Sequence, residues 1–203
     1  MLSMFISELM GGLFQLFLFT LIPFIWWIIT ERKKEDFFKW IGLKKINHEG
    51  EIVNTLLITL IAVVVYSIVT SFFIHSFENG VTAAGSGFAG KGMDAFPAVL
   101  IYGFIRTGLA EEIVFRGFLL KRISNKFGFM IGNTVQAILF GALHGIPFGI
   151  ATHSIPVMVL MTLLPGAFGW YNGWLNEKRC GESIVLSWLL HGTMNVVVAC
   201  LSL

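Results

Sequence analysis

Six apolar runs, each long enough to cross a lipid bilayer, constrain this chain more than any other feature. A transmembrane helix needs about 17 to 25 mostly apolar residues. Only 13% of the 203 residues are charged, against roughly 25% in soluble domains. The sequence therefore predicts an all-α polytopic membrane helical bundle with about six transmembrane helices, forming a single integral membrane domain over residues 1–203. The runs are residues 9–30, 53–74, 96–120, 129–147, 155–175 and 183–203.

Positive charges lie on alternate connections between these runs. Eleven Lys and Arg residues fall in residues 31–52, 121–128 and 176–182, whereas the other connections hold only Lys91. The positive-inside rule predicts that the eleven lie in the cytoplasm and that both termini of this cell-membrane protein lie outside. The net charge of +2 is too small to indicate nucleic acid as a partner. Cys180 and Cys200 form no CxxC motif, and we expect no disulfide between them.

One glycine-rich segment, residues 81–92, imitates a nucleotide-binding loop. Gly85 and the pair Gly90 and Lys91 have the spacing GxxxxGK. A P-loop continues with Ser or Thr, which contacts magnesium, between a strand and a helix. Here Gly92 follows, in a connection expected outside the cell, so the sequence predicts no nucleotide. Ser86 lies in the same loop rather than at a buried helix end beside a histidine, which argues against a serine protease.

Ionisable residues inside the apolar runs are the strongest functional signal. A charge in the hydrocarbon core costs about 2.5–3.5 kcal/mol on insertion scales, so it suggests function by default. Glu112 and Arg116 are four residues apart, with the glutamate first, which favours a structural ion pair. Glu111 points about 100° away from Glu112 on a regular helix and has no cation three or four residues away. We therefore expect Glu111 to serve another purpose.

Two further runs each carry a histidine with a second residue of interest four positions away. Phe140 and His144 share a helix face, near a GxxxG that permits close helix approach. His191 and Asn195 share a face of the last helix. Each pair alone is also explained by packing or by an interhelical hydrogen bond. Because polar groups in lipid need partners, together they predict that three helices meet around one polar cavity.

Such a cavity suits hydrolysis by either of two routes. In the first, Glu111 is a general base for water, His144 helps to hold the water, and His191 and Asn195 donate hydrogen bonds to the oxyanion. In the second, Glu111, His144 and His191 bind zinc with one position left for water. No HExxH motif is present, which excludes the common zincin arrangement. The residues do not favour one route over the other. Neither route uses a serine or cysteine as nucleophile.

Three motifs carry a family resemblance. EEIVFR (111–116), FGALH (140–144) and HGTMN (191–195) read as EExxxR, FxxxH and HxxxN in that order on three helices. The chain thereby resembles the CAAX protease and bacteriocin-processing (CPBP, or Abi) family of intramembrane proteases, which includes the type II CAAX prenyl endopeptidases. The resemblance covers residues 96–200, the expected catalytic core.

The resemblance implies a membrane endopeptidase. Glu111 would activate water with the help of His144, while His191 and Asn195 would form the oxyanion site. Glu112, Arg116 and Phe140 would support them, with either zinc or no metal as cofactor. With fewer spans than the prenyl proteases, the chain has less room for a prenyl cavity, so the resemblance favours a peptide or membrane-protein substrate. It also favours a role in bacteriocin self-immunity or peptide maturation.

Two other classes of function remain open at the level of sequence. The first is an immunity or interaction protein that uses the same scaffold without proteolysis. The second is a small transporter in which the carboxylate and histidines relay protons or ions, which the lack of an internal repeat disfavours.

Overall fold

A computed structural model describes residues 2–47, 52–76, 86–201 and 203 of the chain. In this part of the chain the backbone forms seven helices and no strand. Two single turns of 3₁₀ helix, Ser86–Phe88 and Met93–Ala95, precede the fourth helix. The segment 81–92 therefore lies only partly within the described residues. The helices are α1 Leu2–Thr30, α2 Phe37–Trp40, α3 Ile52–Ser76, α4 (residues 96–127), α5 Phe129–Thr152, α6 Ile155–Arg179 and α7 Val185–Cys200.

The predicted all-α membrane bundle is confirmed. Five of the six apolar runs fall within one helix each, and the sixth, residues 183–203, contains α7. By length and composition, three of these helices, α1, α5 and α6, are able to cross a membrane, while shorter apolar helical stretches occupy Leu57–Tyr66 and α7. Helix α5 passes through Pro147 and ends at Thr152, later than the predicted end of the run. Proline is tolerated in membrane helices because neighbouring groups satisfy the freed carbonyl.

Helix α4 changes its hydrogen-bonding pattern along its length. Two π-helical segments, Ile101–Leu109 and Ile113–Leu120, lie on either side of a single α-turn, Ala110–Glu112. The helix starts and finishes as ordinary α-helix, at Phe96–Leu100 and Lys121–Phe127. π-Helical turns are rare and are frequent at functional sites. Here they bracket the two adjacent glutamates.

Local sequence signals explain where the helices end. Gly128 has a φ of 87°, a left-handed conformation that glycine adopts readily, and it separates α4 from α5. His153 in the αL region ends α5. Ser154 then caps α6, its Oγ accepting a hydrogen bond from the backbone N–H of Val157 at 3.4 Å. Pro156 occupies the first turn of α6, where a missing N–H does no harm.

The chain divides into two compact units, each assembled from separate segments. The first unit comprises Met1–Ile46, Thr82–Phe118 and Ser183–Leu203, and the second Asn47–Val81 and Leu119–Glu182. The single domain that the sequence predicts stays a prediction. In the first unit, a buried cluster holds the start of α4 against the end of α7; it consists of Phe88, Ala95, Ala98, Val99 and Ala199.

In the second unit, α5 and α6 pack through small residues. The GxxxG predicted to permit close approach does so: a Cβ at Gly141 would meet the carbonyl of Thr162, and one at Gly145 would meet its hydroxyl. Nearby, the buried amides of Asn133 and Gln136 donate hydrogen bonds to the carbonyls of Trp170 (2.9 Å) and Gly169 (3.0 Å) on α6. Buried polar side chains thus link the two membrane helices beside their glycine contacts.

Candidate active site

Glycines allow α4 and α7 of the first unit to approach closely. A Cβ at Gly103 would lie 2.8 Å from the carbonyl of Gly192, and one at Gly108 would lie 3.3 Å from its Cα. The indole Nε1 of Trp188 donates a 2.6 Å hydrogen bond to the carbonyl of Phe104. Because Gly192 follows His191 directly, this contact brings the histidine against the glutamates of α4.

The carboxylate of Glu112 is fully buried and contacts side chains on both α4 and α7. Its Oε1 lies 3.1 Å from Nη1 of Arg116, which is also fully buried, and the pair has the spacing that the sequence predicts. Its Oε2 accepts a 2.7 Å hydrogen bond from the hydroxyl of Ser187 on α7. The same carboxylate lies 3.1 Å from Nδ1 of His191. Glu112 therefore has a role beyond its ion pair, since it also anchors the histidine.

His191 lies between the two adjacent glutamates. Nδ1 contacts Glu112, whereas Nε2 lies 3.6 Å from Oε2 of Glu111. Both contacts are sheltered: the histidine side chain is 6% exposed and that of Glu111 is 15% exposed. A carboxylate that holds one ring nitrogen fixes the orientation of the ring and of the other nitrogen. Glu112 thus directs Nε2 of His191 towards Glu111.

Asn195 lies one helical turn beyond His191 and is also held by α4. Its Nδ2 donates a 2.7 Å hydrogen bond to Oγ1 of Thr107. That hydroxyl in turn donates to a backbone carbonyl of its own helix, 2.9 Å from Tyr102 and 3.2 Å from Gly103. Because Thr107 accepts one N–H of the amide, the second N–H of Asn195 has a defined direction.

His144 and Phe140 belong to the second unit. Nδ1 of His144 lies 2.8 Å from the carbonyl of Phe140 on the same helix, and the two rings are 4.6 Å apart between centroids. This contact orients the imidazole of His144. Phe140 is 2% exposed, so it supports the histidine from within the packed helix. A common cavity of His144 with Glu111 stays a prediction.

Two residues that contact the cluster in the first unit were not predicted from the sequence. Ser187 contacts Glu112, and Thr107 contacts Asn195. The signal for Ser187 is present in the sequence, since Ser187, His191 and Asn195 recur every four residues along one face of α7. Thr107 has no comparable signal, because only the packing of α4 on α7 brings it to the amide.

The described residues of the first unit do not form a metal centre. Among the described residues, no group of three or more His, Cys, Asp or Glu side chains is arranged to hold a metal ion. Within the first unit, both nitrogens of His191 face carboxylates, at the distances given above. The zinc site of Glu111, His144 and His191 stays a prediction.

Cys180 does not supply a nucleophile. Cys180 and Cys200 are both free thiols. Cys180 follows the last residue of α6 and is buried, and this burial raises the pKa of its thiol to about 11. The thiol is therefore protonated at neutral pH, whereas nucleophilic attack requires a thiolate.

A family model described as type II CAAX prenyl endopeptidase Rce1-like matches residues 94–197, just over half of the chain. The chain belongs to this family. The match begins before α4 and ends within α7, so it covers both helices of the glutamate and histidine cluster as well as α5 and α6. No curated protein and no solved structure matches the chain. Membership in the Rce1-like family makes this chain a membrane endopeptidase at that broad level, with a peptide as substrate class.

Ser187→Ala is expected to lower kcat for peptide cleavage by about tenfold, with a smaller effect on KM. A hydrogen bond to a charged group contributes about 1.5–3 kcal/mol, and its loss lets Glu112 and with it His191 move. Steady-state kinetics in nanodiscs would measure the change, together with a pH profile of kcat. Ser187→Thr keeps the hydroxyl and should restore most of the rate. Unchanged kcat and an unchanged pH profile in Ser187→Ala would contradict this positioning role.

Proposed function

We propose that this chain is an intramembrane endopeptidase in which Glu111 activates water for hydrolysis of a peptide bond. The observation that supports this most is the placement of His191, with Glu112 at one ring nitrogen and Glu111 facing the other. A structural ion pair accounts for Glu112 and Arg116, but it needs neither Glu111 nor His191. A general base beside an oriented donor accounts for both.

The reaction uses side chains that the first unit holds in place. Glu111 takes a proton from water as the water oxygen bonds to the carbonyl carbon of the substrate. Negative charge then develops on the carbonyl oxygen, where the second N–H of Asn195 donates a hydrogen bond, as does Nε2 of His191 when both ring nitrogens carry a proton. Glu111 returns the proton to the leaving amine as the C–N bond breaks. Preorganised donors of this kind contribute several kcal/mol each to transition-state stabilisation.

We assign His144 the task of helping to hold the attacking water. This assignment rests on its position in the motif FGALH and on the contact with Phe140 that orients its ring. The substrate we propose is a peptide or a membrane-associated protein, cut near the cytoplasmic side. The biological role we favour is peptide maturation or bacteriocin self-immunity, and prenylated substrates are the alternative that the description of the family model suggests.

The test compares wild type and His144→Ala in membranes and as purified protein. We expect His144→Ala to reduce cleavage by about 10²-fold or more at unchanged expression and unfolding midpoint. Peptides that accumulate uncleaved in a Glu111→Ala strain would identify the substrate, and the purified enzyme should then cut them. His153→Ala, a histidine at the end of the same helix, is the matched control. Immunity that survives both Glu111→Ala and His144→Ala would instead support an interaction protein.

A further inference from the structure

The turn that follows α1 is an ordered structure that exposes cations. The backbone N–H groups of Glu31 and Arg32 both donate to the carbonyl of Trp27, at 2.8 and 2.9 Å. The indole Nε1 of Trp27 donates in turn to the carbonyl of Glu35 at 2.9 Å. Phe37 packs edge-on against Trp27, with ring centroids 5.6 Å apart. Residues 31–36 are therefore fixed against the end of a membrane helix.

Each acidic side chain of this turn already has a partner. Glu31 pairs with Lys34 at 3.2 Å and Glu35 with Lys39 at 3.5 Å. The carboxylate of Asp36 caps α2, accepting hydrogen bonds from the backbone N–H groups of residues 38 and 39. Arg32 and Lys33, by contrast, form no ion pair with any residue that the structure describes. Two exposed cations are thus held side by side.

These cations line a cavity that also has an apolar wall. The cavity has a volume of about 510 Å³ and is lined by Ile28, Ile29, Thr30, Arg32, Lys33 and Lys34. Ile29 is 76% exposed, on the last turn of an apolar helix that is able to span a membrane. Cationic groups above an exposed isoleucine match a phosphate headgroup above its acyl chains.

The geometry points to a binding site for the phosphate of an anionic phospholipid at this turn. Arg32 and Lys33 contact the phosphate, Arg32 through the paired N–H groups of its guanidinium, and the acyl chains lie along Ile28 and Ile29. A free phosphate has the same kind of anionic oxygens but nothing to place on the isoleucines. A phospholipid is therefore the ligand that fits both the cationic and the apolar wall of the cavity.

Native mass spectrometry of the purified full chain in neutral detergent tests this site. We expect phosphatidylglycerol to bind more tightly than phosphatidylcholine with the same acyl chains, and inorganic phosphate to bind more weakly than either lipid. Arg32→Gln combined with Lys33→Gln should raise the apparent Kd for phosphatidylglycerol about 25-fold, since each cation near an anionic membrane surface contributes about fivefold. Glu31→Gln releases Lys34 from its ion pair and should tighten binding.

A matched control separates a site from diffuse attraction to the membrane. Lys126→Gln combined with Lys178→Gln removes the same charge from two lysines that contact the rings of Phe127 and Phe129. This control should change the Kd by less than about threefold. Equal weakening by both double variants, equal binding of the two lipids, or phosphate binding as tight as that of phosphatidylglycerol would each overturn the proposal. Unfolding midpoints without lipid verify that every variant folds.

Discussion

Glu111→Gln is expected to lower the rate of peptide cleavage by about 10²–10⁴-fold, the usual contribution of a general base. Glutamine keeps the size of the side chain and one acceptor oxygen, but it cannot take a proton from water. Its free energy of unfolding should stay near that of the wild type, because Arg116 keeps its closest carboxylate, that of Glu112. Single-turnover cleavage in nanodiscs and unfolding in denaturing detergent would measure the two effects.

The control for this variant is Glu177→Gln in the second unit. Glu177 resembles Glu111 in exposure, at 14% against 15%, and its Oε1 accepts a 2.9 Å hydrogen bond from Lys121. We expect Glu177→Gln to retain cleavage within about threefold, since the amide oxygen preserves the hydrogen bond. Wild-type activity in Glu111→Gln would show that Glu111 is not the general base. A large loss of stability in Glu111→Gln would instead make Glu111 a structural residue.

The sequence anticipated the helices and the pairing of Glu112 with Arg116, because both depend on local patterns. Apolar length predicts a membrane helix without knowledge of its neighbours, and a spacing of four residues places two side chains on one helix face. The alignment of His191 with Asn195 on α7 is predictable for the same reason. The three motifs EExxxR, FxxxH and HxxxN together carried enough information to indicate the family.

The contacts of Glu112 with α7 could not be predicted in this way. They depend on which helices pack together, and Gly103, Gly108 and Gly192 determine that packing through the close approach of two backbones. The π-helical segments of α4 also have no recognisable sequence pattern, yet they change the direction in which Glu111 and Thr107 point. For these reasons the sequence predicts only a structural ion pair for Glu112. In the structure, its carboxylate also contacts Nδ1 of His191.

Removing Glu112 should have the opposite consequence to removing its neighbour, namely a large loss of stability. Glu112→Ala leaves the guanidinium of Arg116 fully buried without its closest carboxylate. Breaking a buried ion pair by removing one partner costs about 3–5 kcal/mol. We expect a loss of this size in the free energy of unfolding, measured by titration with denaturing detergent. Glu31→Ala, which breaks an exposed pair with Lys34, should cost less than about 1 kcal/mol.

The double variant Glu112→Ala with Arg116→Met distinguishes stability from catalysis. Replacing both members of a buried pair by apolar groups is often nearly neutral, so the double variant should recover most of the stability that Glu112→Ala loses. Cleavage should not recover, because Nδ1 of His191 still lacks the carboxylate that orients the ring. A double variant that regains both stability and activity would show that Glu112 serves only to neutralise Arg116. Stability without activity means that the buried glutamate holds the histidine for the chemistry of its neighbour.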